Sequence, residues 1–333
     1  MTKTALLLLL LTACGLPTSP PREPFQVAAG GMRRFPFAFD VDGGGVIVSH
    51  STHKDDYLSA GSAETQRLGR PAEKAPDFYL GGVAKLADGR LYGASYATYA
   101  AGPGYDQIHG WVSDNGGASW SPRNGTLQLQ EPRFERPAGW GTLLMHRRMY
   151  RVGGALVATA YGGYARDARP EGGQWYRSVL IKSLDEGLTW TVASTIAEGP
   201  AGTEGYGEPV SAFCPDGRLL VVMRTGPTSP LRWARSSDGG TTWSAPRELP
   251  GMTGWDPDLL AVPGGLVLSW GVTGEFHLAA SPDCGDSWSR FQDFDIATTS
   301  GYTGLAQNGG LTVFADRAGE SEIWGYPVKG PAL

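Results

Sequence analysis

Apolar and polar positions alternate in short runs along most of the chain, each run closed by a glycine. A typical unit reads apolar strand, tight Gly turn, apolar strand. The turns are VDGGG (41–45), ADG (87–89), VGG (152–154), PDG (215–217), PGG (263–265) and NGG (308–310). Each leads into a run such as RLLVVMR (218–224) or LTVFAD (311–316). Period-two and short apolar runs bounded by turn residues predict antiparallel strands. No stretch has the 3.6-residue periodicity of a helix longer than a turn or two.

A second signal recurs behind these hairpins. The octapeptide Ser-x-Asp-x-Gly-x-(Ser/Thr)-Trp appears as SDNGGASW (113–120), SLDEGLTW (183–190), SSDGGTTW (236–243) and SPDCGDSW (281–288), with Asn115 at the Asp position of the first copy. The copies begin 70, 53 and 45 residues apart. The Asp or Asn side chain accepts backbone N–H bonds, the Gly adopts a φ that other residues avoid, and the Trp covers the turn. Spacings of this size predict a propeller whose blades are small antiparallel sheets. The unit is strand A, Gly turn, strand B, loop, strand C, Asp-type turn, strand D. Six units fill residues 32–327, so the expected fold is all-β, a six-bladed β-propeller of four-stranded antiparallel blades.

The N-terminus departs from this pattern. A single early Lys precedes the apolar run Ala5–Leu11, which is too short to span a bilayer and has the build of an export signal. Leu11-Thr12-Ala13-Cys14 resembles the bacterial lipobox, which implies lipidation of Cys14. The expected organisation is a lipoprotein signal peptide over 1–13, a Pro-rich tether over 14–31 and the propeller over 32–333. The body is then exported and lipid-anchored to the bacterial cell envelope, at a membrane surface or in the periplasm. Cys214 and Cys284 remain, and that compartment permits a disulfide between them.

Composition narrows the function. With 28 Lys+Arg against 33 Asp+Glu the formal net charge is −5, and the body holds no basic run, which argues against a nucleic-acid partner. Gly 49, Trp 11 and Tyr 13 in 333 residues fit short strands and tight turns. The five His are scattered without zinc-ligand spacing, so neither a metal nor a cofactor is expected. The chain is expected to act as a monomer.

In the unit above, the A–B turns and the octapeptides share one face of the disc. The starts of strand A, the ends of strand B and the B–C loops share the other. Counting out from each turn places Arg34, His50, Tyr79, Tyr96, Tyr161, Glu208, Arg224, Asp256, Trp270, Tyr302 and Asp316 on that second rim.

With these repeats and rim residues the chain resembles the sialidase superfamily, the propellers with Asp-box repeats, over nearly all of 32–327. Arg34-Phe35-Pro36 is similar to the family's Arg-Ile-Pro motif, which implies Arg34 as the first arginine of a carboxylate-binding triad. Asp55 or Asp56, in SHSTHKDD (49–56), falls where the family carries its acid/base Asp. Glu208-Pro209-Val210, the PDG turn and the run to Arg224 resemble the fourth-blade hairpin, which implies Glu208 beside the nucleophile and Arg224 as second arginine. Gly301-Tyr302-Thr303-Gly304-Leu305 resembles the motif of the nucleophilic Tyr. The third arginine is missing: TGEFHLAASPD (273–283) holds Glu275 and His277 instead. Arg232, at the start of a C strand, could reach the same cleft without matching the motif.

These residue types suit one chemistry. A phenol needs a base to attack, and a Glu within hydrogen-bond reach supplies it. Asp55 or Asp56 would protonate the leaving oxygen, and arginine forks would clamp an acidic group. The resemblance implies removal of a terminal acidic sugar, sialic acid or a relative, from extracellular glycans. Tyr96, Tyr161, Asp256 and Trp270 would line the sugar site. The alternative is an inactive propeller that binds glycans or proteins at the cell surface through rim aromatics.

Overall fold

The computed structural model describes residues 23–41, 45–53, 61, 63–68, 75–134, 139–307 and 309–330. Cys14, Asp55 and Asp56 lie outside them, as do the signal segment and the first half of the predicted tether, 14–22. The described residues are all-β, with one 3-10 turn among them at Ala165–Asp167. Among the described residues no helix is long and apolar enough to cross a membrane.

The strands follow the predicted hairpin rhythm. After β1 (Phe25–Ala29) come β2 (Arg34–Val41), β3 (Gly45–Ser51) and β4 (Ala63–Arg67). Next are β5 (Leu80–Lys85), β6 (Leu91–Gly102), β7 (Tyr105–Ser113), β8 (Ser121–Pro122) and β9 (Gly125–Gln128). They are followed by β10 (Trp140–Val152), β11 (Ala155–Gly162), β12 (Arg177–Ser183) and β13 (Thr189–Ala197). Then come β14 (Gly207–Phe213), β15 (Leu219–Arg224), β16 (Pro230–Ser236) and β17 (Arg247–Thr253). The last are β18 (Trp255–Val262), β19 (Gly265–Val272), β20 (Glu275–Ser281), β21 (Ser289–Asp295), β22 (Thr303–Gln307), β23 (Leu311–Arg317) and β24 (Glu322–Pro327).

They form a propeller-like arrangement of antiparallel sheets. The inner strands touch in a closed circuit, β2 to β5, β10, β14, β18, β22 and back to β2. Sheets β14–β17 and β18–β21 are separate and four-stranded. Two features differ from the expected set of separate four-stranded units. First, β2–β4 is three-stranded, and the strands from β5 to β13 share one nine-stranded sheet. That fusion comes from length: β6 has 12 residues and β10 has 13, so their outer halves pair with each other at Ala97–Leu144 and Tyr99–Trp140. Strand β9 then pairs in parallel with β13 and closes the sheet on itself as a barrel.

Second, residues 25–29 are not tether. Strand β1 pairs antiparallel with β24, so an early segment supplies the outer strand of the last sheet, in order β1-β24-β23-β22. Phe25 packs edge-on against Phe314, with ring centroids 6.3 Å apart, and a Cβ on Gly325 would strike the Phe25 ring. Strand β1 thereby covers the edge of β24 and becomes the outer strand itself, tying an early segment to the last sheet.

Burial explains the sequence pattern. Inner and middle strands are covered on both faces by neighbouring sheets, so β15 is apolar throughout its buried length (LLVVM). Outer strands such as β21 (SRFQDFD) have largely exposed side chains. The cores sit between sheets: Val210, Leu220 and Trp233 meet Leu266, Trp270 and Ala279, and Leu260 and Phe276 meet Leu305, Val313 and Tyr326.

The octapeptides form the predicted turns. In the second copy Asp185 Oδ1 accepts from Ser183 Oγ at 2.8 Å and Thr189 N at 2.7 Å, Gly187 N donates to Ser183 Oγ at 2.9 Å, and Trp190 Nε1 donates to Gly187 O at 3.0 Å. Each copy holds two successive left-handed residues, here Glu186 (φ 61°) and Gly187 (φ 90°). A Cβ on Gly187 would lie 2.6 Å from the Tyr92 ring, so the glycine is required twice over. On this same face Cys214 and Cys284 form a disulfide, with Cα atoms 5.5 Å apart.

Candidate functional site

The inner strands begin irregularly, and this builds the site. Register shifts interrupt the pairing at Arg34/Phe37, Met145/Met149, Gly207/Val210 and Trp255/Asp258. At these bulges non-glycine residues take positive φ: Phe35 (56°), Arg147 (49°), Arg148 (46°), Glu208 (42°) and Asp256 (52°). Such conformations cost about 1 kcal/mol or more each, so something else must hold them. Side-chain acceptors do part of this work. Phe35 N donates to Asp316 Oδ2 at 3.1 Å, and Asp256 N donates to Glu208 Oε2 at 2.8 Å. Gly301 (φ 89°) aims the chain before β22; a Cβ there would sit 2.5 Å from the Val272 carbonyl oxygen.

Glu208 is the hub. Its Oε1 accepts from Arg224 Nη1 at 2.9 Å and from the Tyr302 hydroxyl at 3.4 Å, while Oε2 takes the Asp256 amide. The carboxylate is buried but not sealed, at 7% exposure. Arg224 also touches Glu204, with Nε 2.7 Å from Oε1 and Nη2 donating to Oε2 at 3.3 Å. Burial raises the Glu204 carboxyl, against the pull of Arg224 and with a push from Glu208. The Tyr302 ring leans on Phe35 at 4.4 Å between centroids. Arg34 starts β2 at the same end; among the described residues no carboxylate lies within ion-pair range of it, and its Nε is buried without a hydrogen-bond partner.

Beneath this group runs a buried charge network that the sequence reading did not single out, apart from Asp256. Asp256 pairs with Arg147 and with His146 Nε2 at 3.1 Å. Asp258 pairs with Arg148 through two bonds, at 3.0 and 2.6 Å, and lies 3.3 Å from Arg147 Nη1. Arg147 stacks 4.2 Å over the Phe37 ring. Burial pushes Asp256 up to about 7, and burial with the Arg147 charge pushes His146 down to about 3, so the imidazole is neutral. Leaving one member of a buried pair unmatched typically costs about 3–5 kcal/mol.

Other predicted residues have structural positions that do not suit the roles assigned them. Trp270 is 1% exposed and packs in the core between sheets, so it offers no face to a sugar. Tyr96 and Tyr161 are buried too; their hydroxyls bond each other at 2.5 Å, and burial raises the Tyr161 phenol well above its ordinary range. Tyr79 is tied to Phe35 O. Asp256 is a buried network member rather than a sugar contact. Arg232 is occupied on the outer strand side, 2.7 Å from Glu248. Asp316 clips the backbone of Phe35 and Ser300, at 3.1 and 2.8 Å. His50 is fully buried, and burial lowers it to about 4.

A cavity of about 470 Å³ lies toward the opposite ends of the inner strands, beside Asp40, Lys85, Arg148 and Tyr150. Its buried arginine is held by Asp258, and Arg151 on its rim is held by Glu186. The reacting groups of the candidate site are not there.

No protein-family model and no curated relative matches the chain. Solved structures do. A protein of unknown function from Dyadobacter fermentans is 17% identical with a TM-score of 0.66, covering 94% of this chain and 100% of its own. A sialidase from Streptococcus pneumoniae, in complex with 2-[(3-chlorobenzyl)ammonio]ethanesulfonate, is 13% identical with a TM-score of 0.59, covering 91% and 70%. An α-L-arabinofuranosidase of Fusarium graminearum, in complex with arabinobiose, is 13% identical with a TM-score of 0.59, covering 90% and 93%. The chain therefore has the fold of sialidase-type and glycoside-hydrolase propellers.

Proposed function

We propose that the chain is a six-bladed sialidase-like propeller and an exo-acting glycoside hydrolase, exported and held at the cell envelope by lipid on Cys14. One observation carries the reading: a single carboxylate oxygen of Glu208 receives both the Tyr302 hydroxyl and the Arg224 guanidinium. That is the arrangement of a nucleophile, its base and a cation that orients the base. The structural neighbour that holds arabinobiose on the same fold adds weight.

In the proposed step Tyr302 Oη forms a bond to the anomeric carbon as the glycosidic C–O bond breaks. The phenolic proton passes to Glu208. The leaving oxygen takes a proton from a general acid, Asp55 or Asp56. Water then attacks the anomeric carbon, Glu208 returns its proton to the departing phenolate, and the acid recovers one from the water. The outcome is retention, with no net change in the enzyme.

The purified chain is to be tested against a panel of 4-methylumbelliferyl glycosides of neutral and acidic sugars, beside Tyr302→Phe and Glu208→Gln. Turnover should fall about 10³-fold in either variant. Retention of activity within tenfold in Tyr302→Phe would remove the tyrosine from the mechanism. Absence of turnover in the parent together with retention on immobilised glycans would favour the binding propeller.

A further inference from the structure

Arg224 reaches the site with a carboxylate of the protein's own already against its Nε–Nη2 edge. A guanidinium binds a carboxylate best through two parallel N–H groups. On Arg224 the Nη2 group donates to Glu204 at 3.3 Å, and Nε lies 2.7 Å from the same carboxylate as an ion-pair contact without a hydrogen bond, while Nη1 is given to Glu208 at 2.9 Å. Glu204 therefore stands where the carboxylate of an acidic ligand would dock. Its side chain is 21% exposed and that of Arg224 is 17% exposed, so the pair is largely buried and fixed rather than waving in solvent. An incoming carboxylate would have to displace Glu204 or settle beside two like charges, Glu204 and Glu208.

The other cations do not compensate. Where a third arginine would stand, the chain has Glu275 and His277. His277 lies 3.0 Å from Asp293 and 3.7 Å from Glu275, and the neighbouring Arg290 is paired with Asp293. Arg232 is paired with Glu248. Of the candidate arginines of the site, Arg34 alone has no carboxylate partner among the described residues, and a single guanidinium can also donate to sugar hydroxyls.

We propose that Glu204 is a specificity-determining residue, a built-in carboxylate on Arg224 that fits the cleft to a terminal neutral sugar and against one bearing a carboxylate at its anomeric carbon. This rests on the hydrolase reading and replaces the acidic sugar implied by the family resemblance. Arg224 then works on the enzyme's own pair. It holds the Glu208 carboxylate beside Tyr302, and its positive charge is placed to stabilise the negative charge that grows on the phenol oxygen as the proton moves to Glu208.

The test uses the full chain and the same fluorogenic panel, with an α-sialoside and a glucuronide against neutral pentosides and hexosides. The expected parent prefers a neutral sugar by at least 100-fold in kcat/KM. Glu204→Gln and Glu204→Ala should each raise the acidic-to-neutral ratio tenfold or more, mainly by lowering KM for the acidic substrate. An acidic sugar as the best parent substrate would overturn the proposal while upholding hydrolysis, and so would a ratio within twofold of the parent in both variants. If nothing is turned over, the hydrolase reading fails. Retention on surfaces of neutral-terminated and sialylated glycans then decides: preference for neutral ends, reversed or erased in both variants, upholds the role of Glu204, and equal retention or none overturns it.

Discussion

The two ends of the sheets are built by opposite strategies. At the octapeptide end every turn closes on itself: the Asp or Asn, the Ser, the Gly and in the first two copies the Trp satisfy one another within eight residues. At the other end the contacts that assemble the site are long-range. Glu208 meets partners 16, 48 and 94 residues away. A local turn can be copied along a chain because its contacts travel with it. A site assembled from distant strand starts can be built once, and only after the ring has closed. The repeated end is scaffold, and the irregular end carries the chemistry.

The largest stability effect should come from the scaffold end. The Cys214–Cys284 disulfide joins the turn between β14 and β15 to the octapeptide of the next sheet across 70 residues. Closing a loop of that length in the unfolded chain is worth about 4 kcal/mol. Replacing both cysteines with serine should lower the unfolding free energy by about 3–4 kcal/mol in denaturant titrations, and turnover at 25 °C should stay within twofold. A loss of activity much larger than the loss of stability would show that the two ends are coupled, which would break the division just drawn.

That division also explains what the sequence made legible. The octapeptides announce the turns, and the Gly hairpins announce the strands, because both signals are local. The rim count found Glu208, Arg224 and Tyr302 by placing them relative to those turns, and they do converge. It could not tell a rim residue that faces the cleft from one that props it, so Trp270, Tyr96 and Tyr161 were assigned to sugar and turn out buried. Arg147, Arg148 and Asp258 were missed although they leave a trace. LLMHRRMY (143–150) and WDPDLLAV (255–262) put charges inside apolar strands, and a buried charge must find an opposite one. The fused sheet was not legible either, because strand length alone decides whether β6 and β10 run on into a neighbour.

A smaller effect should appear at the site end, as a dependence on pH. His50 is buried with both ring nitrogens unbonded, and burial, then the charge of Arg33, lowers it to about 4. Its unfolded value is about 6.5, so between pH 6.5 and 4 the unfolded chain binds the extra proton. Stability therefore rises with pH across that window and is lost as pH falls, by about 3 kcal/mol at most. Denaturant titrations from pH 4 to 7 should show a flatter slope in His50→Asn than in the parent. Identical slopes would mean that water or a partner reaches the ring, and the site end would be less tightly sealed than its burial implies.

The smallest effect sharpens the comparison most, because it asks what the octapeptide turn needs. Three copies carry Asp and one carries Asn. Asn115 Oδ1 accepts from Ser113 Oγ at 3.0 Å and Ser119 N at 2.9 Å, the bonds that Asp185 makes with Ser183 and Thr189 at 2.8 and 2.7 Å. The amide nitrogen of Asn115 donates to Ser119 Oγ at 2.8 Å, so reversing that one bond keeps the turn intact. An oxygen acceptor, not a negative charge, is then the requirement. Asp185→Asn should change the unfolding free energy by less than about 0.5 kcal/mol, whereas Asp185→Ala, which leaves the Thr189 amide without its partner, should cost about 1–2 kcal/mol. The order matters more than the sizes. If Asn proved as costly as Ala, charge would be the requirement. The first copy would then be a weakened turn rather than an equivalent one, and the scaffold end would no longer be a set of interchangeable parts.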